Sequence, residues 1–191
     1  DPEVSANQLA LALAVLRIGR YRSQIHNHLA ESEVPERTMR PLLFLAALYH
    51  DIAKPFTRQV DEHGRTRFFR HEEHGAEIAS KRGRALQLSN GEIDRVKTIV
   101  RQHMRPLLLS QQSELPTRRA VYRFFRAAGE AGVDVCLLSL ADYLATYATT
   151  LPHLMLSTLF CERLAIEPAY AHSLQLGGAT GGAMLMLARE L

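Results

Sequence analysis

The chain has 191 residues, is 47% hydrophobic, and sets 23 Lys and Arg against 20 Asp and Glu for a formal net charge of +3. This length is enough for one well-buried domain, and the longest apolar runs, around residues 9–16 and 42–49, fall far short of the roughly 18 to 20 residues that cross a bilayer, so no membrane anchor is expected. Two cysteines without a C-x-x-C pair, Cys136 and Cys161, exclude a disulfide framework and a zinc finger and read as buried thiols in a reducing, cytoplasmic setting.

Residues 4–30 read as a helix bent near Gly19, apolar on every side at first and then alternating charge with Ile18, Tyr21 and Ile25. The chain opens at Asp1 with neither an initiator Met nor a charged-then-apolar leader, which reads as a piece of a longer product. Pro35 marks a turn, and LLFLAALYHDIAKP over residues 42–55 reads as an apolar helix from about 38 to 53 that delivers His50 and Asp51 from its buried end, with Pro55 as its stop. Residues 56–70 carry β-branched and aromatic residues on both sides of Asp61-Glu62-His63-Gly64 and read as a loop or a short hairpin. A helix is expected from about 71 to 86, with acidic residues in its first turns. Ser89 followed by Glu92 is a capping signal for the next helix, which should close at Pro106. Helices over 117–128, 133–148 and 152–166 and a glycine-rich tail complete an all-α bundle.

A His-Asp pair taken alone is more simply a hydrogen-bonded core His and a helix-end Asp. Other segments move that balance. His71 begins one helix and His103 ends another, while Asp142 interrupts the apolar run LLSLADYLAT, where an unpaired carboxylate would cost several kcal/mol of desolvation. A buried Asp needs a cation partner. His63, His74, His153 and His172 read as solvated.

In this order, the phrases LAALYHDIAKP, RFFRHEEHGAEIA, IVRQHMRP and LLSLADYLAT resemble the HD-domain metal-dependent phosphohydrolases, and more narrowly the HD-containing C-terminal region of bacterial tRNA nucleotidyltransferase/poly(A) polymerase-like proteins. The resemblance implies an HD-domain helical bundle over residues 1–150, with 151–191 as a helical extension packed on it. It also implies a divalent ion held by His50, Asp51 and Asp142, with His71 and His103 lining the site or holding a second ion. Its upstream His ligand has no clear counterpart here. The expected position holds Asn7, and His26 and His28 lie too close to the turn that precedes the HD helix for a simple antiparallel pair to bring them level with His50; a bend at Gly19 leaves His26 open.

Mixed imidazole and carboxylate ligands suit Mn, Fe, Ni, Co or Mg rather than a closed tetrahedral zinc site. The first expectation is therefore hydrolysis of a nucleotide or a 2′,3′-cyclic phosphate, with Asp51 and Lys54 catalytic and Arg67 and Arg70 on the phosphate. No phosphate-cradling G-x-x-x-x-G-K-[ST] motif is present. The rival expectation is a non-catalytic, tRNA-binding helical body. It rests on Arg65, Arg67, Arg70, Lys81, Arg82 and Arg84 as one basic stripe and on Arg118, Arg119, Arg123 and Arg126 along one helix, a set that a solvated helix face explains equally well.

Overall fold

A computed structural model describes residues 12, 16–110 and 116–147, the side chains of Ser110, Arg118 and Tyr147 excepted. Asn7, His153, Cys161, His172 and the expected extension over 151–191 lie outside the described residues. The chain divides into two compact units, one of the residues up to His28 together with those from Arg105, the other Leu29–Met104. In chain order the elements are α1 (Arg22–Ala30), β1 (Ser32–Val34), β2 (Arg37–Thr38), α2 (Met39–Tyr49), α3 (Lys54–Thr57), β3 (Arg58–Val60), β4 (Thr66–Phe68), α4 (His71–Ala85), α5 (Asn90–Gln102), α6 (Met104–Ser110), α7 (Arg118–Ala128), a 3-10 turn (Gly129–Ala131) and α8 (Gly132–Tyr147). Among the described residues the fold is all-α with two short antiparallel ribbons, β1–β2 and β3–β4.

In the Leu29–Met104 unit the antiparallel pair of α4 and α5 sets the frame. On α5 the residues Ile93, Val96, Ile99 and Val100 recur at helical spacing and are buried. The face of α4 that meets them is built of small residues, Gly75, Ala79 and Gly83, each four apart. Contact there is close: a Cβ at Gly83 would stand 3.0 Å from Ile93 Cγ1, and one at Gly75 would stand 3.3 Å from Val100 Cγ1. The seam thus brings the first residue of α4, His71, level with the end of α5, His103. Ser89 caps α5 as expected, with its side chain taking the Glu92 N–H while the Glu92 carboxylate takes the Ser89 N–H. Glu92 is fully buried and also meets Arg37 of β2 at 3.0 Å.

Several boundaries differ from the expectations. Helix α2 stops at Tyr49, so His50 and Asp51 begin a turn over residues 50–53 rather than ending the helix. Pro55 does not stop a helix but lies in the first turn of α3, where its missing N–H costs nothing. Pro106 likewise lies in the first turn of α6 and does not close the preceding helix. The turn around Pro35 is the connection of a second ribbon, β1–β2. Only one side of α2 is buried, through Met39, Leu42 and Ala46, while Phe44 and Leu48 are 69% and 74% exposed. The hairpin reading of residues 56–70 holds, with Arg58 opposite Phe68, Gln59 opposite Arg67 and Val60 opposite Thr66.

In the other unit α7 runs into α8 through the 3-10 turn, and Phe124, Ala128, Val133, Val135, Cys136 and Leu140 are buried. The fully buried acid of α8 is Asp134, not Asp142: its Oδ1 lies 3.1 Å from Nε2 of buried His28 on α1. Asp142 is only partly covered, and its Oδ1 accepts from the Thr146 hydroxyl at 3.5 Å.

Ser89→Ala removes one half of the capping box and should destabilise α5 by about 1 kcal/mol, seen as faster hydrogen exchange of its first-turn amides. In the β3–β4 connection, Asp61 accepts from the backbone N–H groups of Arg65 and His63 and from the Arg65 side chain. The Arg65 N–H, opposed by partial burial and reinforced by the other donors, holds the Asp61 carboxyl below its ordinary value. Because the folded value is the lowered one, this ordering is complete above the unfolded carboxyl range of about 3.9 and is lost as pH falls through the folded value. Amide exchange in β3 and β4, corrected for its intrinsic pH dependence, should therefore accelerate only in acid. Asp61→Asn should abolish that acid step.

Candidate metal centre

Four side chains of the Leu29–Met104 unit converge: His50 and Asp51 from the turn after α2, His71 from the start of α4 and His103 from the end of α5. The three imidazoles share one local device. His50 Nδ1 lies 2.7 Å from the Ala47 carbonyl, His71 Nδ1 2.8 Å from that of Phe68, and His103 Nδ1 2.7 Å from that of Val100. A carbonyl only accepts, so each Nδ1 carries the hydrogen and each Nε2 presents its lone pair to the site in the neutral ring. Each partner is the carbonyl three residues earlier, so a helix end or tight turn is enough to fix both ring orientation and tautomer.

Around the Asp51 carboxylate, His50 Nε2 stands 3.3 Å from Oδ2, while His71 Nε2 and His103 Nε2 stand 3.4 and 3.8 Å from Oδ1. The Nε2 atoms of His71 and His103 are 3.4 Å apart, a separation at which two lone pairs repel unless a proton or a cation lies between them. Asp51 Oδ1 is buried and has no partner at full hydrogen-bonding geometry. One ligand atom each from His50, Asp51 and His103 falls within 4.8 Å of the others. Three neutral nitrogens and a carboxylate oxygen facing one another are a donor set that fits a divalent ion.

The electrostatics agree. Burial pushes the Asp51 carboxyl upward, but the protonated forms of His50 and His71, whose Nε2–H then points at it, together with Lys54 outweigh burial and hold Asp51 ionised far below the carboxylate range. His71 is raised, mainly by Asp51, against the opposing effect of its own burial. Burial lowers His103 and keeps it neutral, with the neighbouring His50 and His71 acting in the same direction. Lys54 Nζ donates to Asp51 Oδ2 at 2.6 Å and lies 5.6 Å from the centre of the Phe68 ring, which ties the turn to the β3–β4 ribbon.

Arg67 lies on β4 with its Nε 3.5 Å from Asp61 Oδ2, and Arg70 Nε donates to Glu73 Oε2 at 2.7 Å. Arg70 also has a left-handed backbone, φ 59°, and makes the sharp corner from β4 into α4. Asp142 belongs to the other unit. His26 is exposed, and so are His63 and His74. The buried pair His28–Asp134 went unnoticed in the sequence. The signals were His28 three residues after Ile25 on one helix face, and Asp134 inside the apolar run GVDVCLLSL.

A His-Asp pair in the turn closing an apolar helix, with an imidazole at each adjoining end of a packed helix pair, defines a helical domain built around one polar centre. The HD domain family matches residues 12–147, and the chain belongs to that family. Over 104 residues, 53% of the chain, it is 42% identical to the CC-adding tRNA nucleotidyltransferase of Thermus thermophilus, and the match spans 22% of that relative's length. Among the described residues no helix is long and apolar enough to cross a membrane.

Gly75 is the residue that lets these elements meet, since its missing Cβ would lie 3.5 Å from the His50 carbonyl as well as against Val100. Gly75→Val should force α4 from α5 and the α2 end. The expected outcome is a several-fold loss of bound divalent metal by elemental analysis, with helical circular dichroism retained and every ligand residue unchanged.

Proposed function

We propose that the chain is a metal-dependent phosphohydrolase acting on nucleotides or 2′,3′-cyclic phosphates. The observation that carries this is the set of three imidazoles whose Nδ1–H groups are tied to backbone carbonyls so that their Nε2 atoms face an ionised Asp51. His50, Asp51 and His103 would hold a divalent ion of the Mn, Fe, Ni, Co or Mg class, with His71 beside them at Asp51 Oδ1. Such an ion supplies Lewis acidity toward a phosphoryl oxygen and lowers the pKa of water. Asp51, kept ionised, accepts a hydrogen bond from the attacking water and orients it. Lys54 holds Asp51 in place and brings positive charge to the phosphoryl oxygens. Hydrolysis forms a P–O bond to the water oxygen, breaks the ester P–O bond and returns a proton to the leaving oxygen. Asp142 enters the ligand set through the family resemblance alone.

The relative's name supports a second reading, the tRNA-binding body of a nucleotidyltransferase-like protein. Its footing in the structure is α7, whose Arg119, Arg123 and Arg126 are exposed and spaced at three to four residues along the helix.

Two measurements separate the readings. Protein purified without chelator should contain divalent metal and cleave a 2′,3′-cyclic nucleotide when Mn, Ni or Co is supplied. Asp51→Ala and His103→Ala should lose most of the metal and reduce turnover by about 100-fold, the upper end of what losing even a supporting residue of a metal site costs. Unchanged metal content in both variants would remove the centre, and Asp142→Ala applies the same test to Asp142. On the second reading, tRNA affinity should fall steeply with salt, and reversing charge at Arg119, Arg123 and Arg126 should flatten that slope. A hydrolase without an RNA role shows neither.

A further inference from the structure

On the hydrolase reading, a phosphoryl group brought to Asp51 carries charge that Lys54, already paired at 2.6 Å with that carboxylate, does not balance alone. Four arginines lie in or next to the β3–β4 ribbon, which the Lys54–Phe68 contact ties to the site: Arg58, Arg65, Arg67 and Arg70. Three of them are engaged with neighbouring carboxylates, Arg65 and Arg67 with Asp61 and Arg70 with Glu73. The guanidinium of Arg58, exposed to solvent, has no carboxylate partner among the described residues.

Two independent constraints place Arg58 beside Lys54. Along the chain it follows Lys54 by four residues and closes α3 with φ −65°, so its Cβ still lies on the helical path, one turn beyond Lys54 on the same side. Across the ribbon it is paired directly with Phe68, the residue whose ring lies 5.6 Å from Lys54 Nζ. Directly opposed residues share one face of an antiparallel pair, with Cβ atoms about 4.5–5.5 Å apart. Arg67 belongs to the next pair, with Gln59, and successive pairs point to opposite faces. The ribbon therefore turns Arg58 toward the Lys54 side and Arg67 away from it.

We propose that Arg58 is the substrate-binding residue of this site, taking two non-bridging oxygens of the phosphoryl group with its guanidinium while Lys54 takes the charge from the turn. Two cations one helical turn apart repel each other when nothing lies between them, and an anion reverses that sign. The planar fork of an arginine matches two phosphoryl oxygens, which a lysine in the same place does not. The ligand class is a phosphate ester, with inorganic phosphate as its simplest member.

The test measures binding apart from turnover. Inorganic phosphate is titrated calorimetrically into the Mn-loaded full chain as wild type, Arg58→Gln, Arg58→Lys and Arg67→Gln, with metal content checked for each. Arg58→Gln should bind phosphate at least tenfold more weakly with its metal retained, Arg58→Lys should recover part of the loss, and Arg67→Gln should match the wild type. In parallel, the KM of a cyclic nucleotide should rise in Arg58→Gln by more than kcat falls. Equal phosphate affinity in Arg58→Gln and wild type, a loss in Arg67→Gln as large as that in Arg58→Gln, or no phosphate binding by the wild type would each overturn the proposal. A wild type that binds phosphate through Arg58 and turns over no ester would overturn the hydrolase reading and leave the binding site established.

Discussion

Three hydrogen bonds from imidazole Nδ1–H groups to backbone carbonyls decide what this domain can do. Without them His50, His71 and His103 would be buried or half-buried rings free to choose tautomer and orientation. With them, each Nε2 atom faces Asp51. The carbonyls come from the segments just before each His, so the chemistry depends on where α2 and α5 end and where α4 begins. Those ends are placed in turn by the seam of Gly75, Ala79 and Gly83 against α5. A polar centre is thus held by an apolar packing rule: remove bulk from one helix face, and its neighbour's terminus comes within reach.

Much of this was legible in the sequence. The HD phrase, the cap at Ser89, the hairpin between 56 and 70 and the helix-end positions of His71 and His103 all follow from local chemistry, which structure rarely overrides. Pro55 and Pro106 sit in first turns rather than at helix stops, because a proline is equally at home in either place and sequence alone does not say on which side of it the helix lies. The acids of α8 were harder. That helix is apolar on nearly every side, so its pattern points to no face, and whether Asp134 or Asp142 is covered depends on what packs there. Arg58 and Arg67 present the same problem in a ribbon, because a register shift of one residue exchanges the two faces and the run RTRFF is compatible with either. The upstream ligand position, Asn7, lies outside the described residues, and of the two nearby histidines it is His28, not His26, that is buried.

The charge arrangement also explains why the centre is polar yet compact. Asp51 is 32% exposed, yet it is the acceptor on which His50, His71 and Lys54 converge, and their combined attraction outweighs the cost of its partial burial. His103, the most buried of the rings, stays neutral because burial disfavours its charged form, and Asp51 at 3.8 Å does not outweigh that. One unit thus combines a stable anion, a neutral donor and a ring whose basicity is raised by that anion.

His50, Asp51, His71 and His103 all lie within the continuous stretch Leu29–Met104. During synthesis that stretch leaves the ribosome as one piece, and at about 5–20 residues per second it has a head start on the order of seconds before residues 105–191 have followed. The loops it must close are short, the largest being the distance in sequence from α2 to α5. The residues of the polar centre are therefore all present while the segments that follow are still being made.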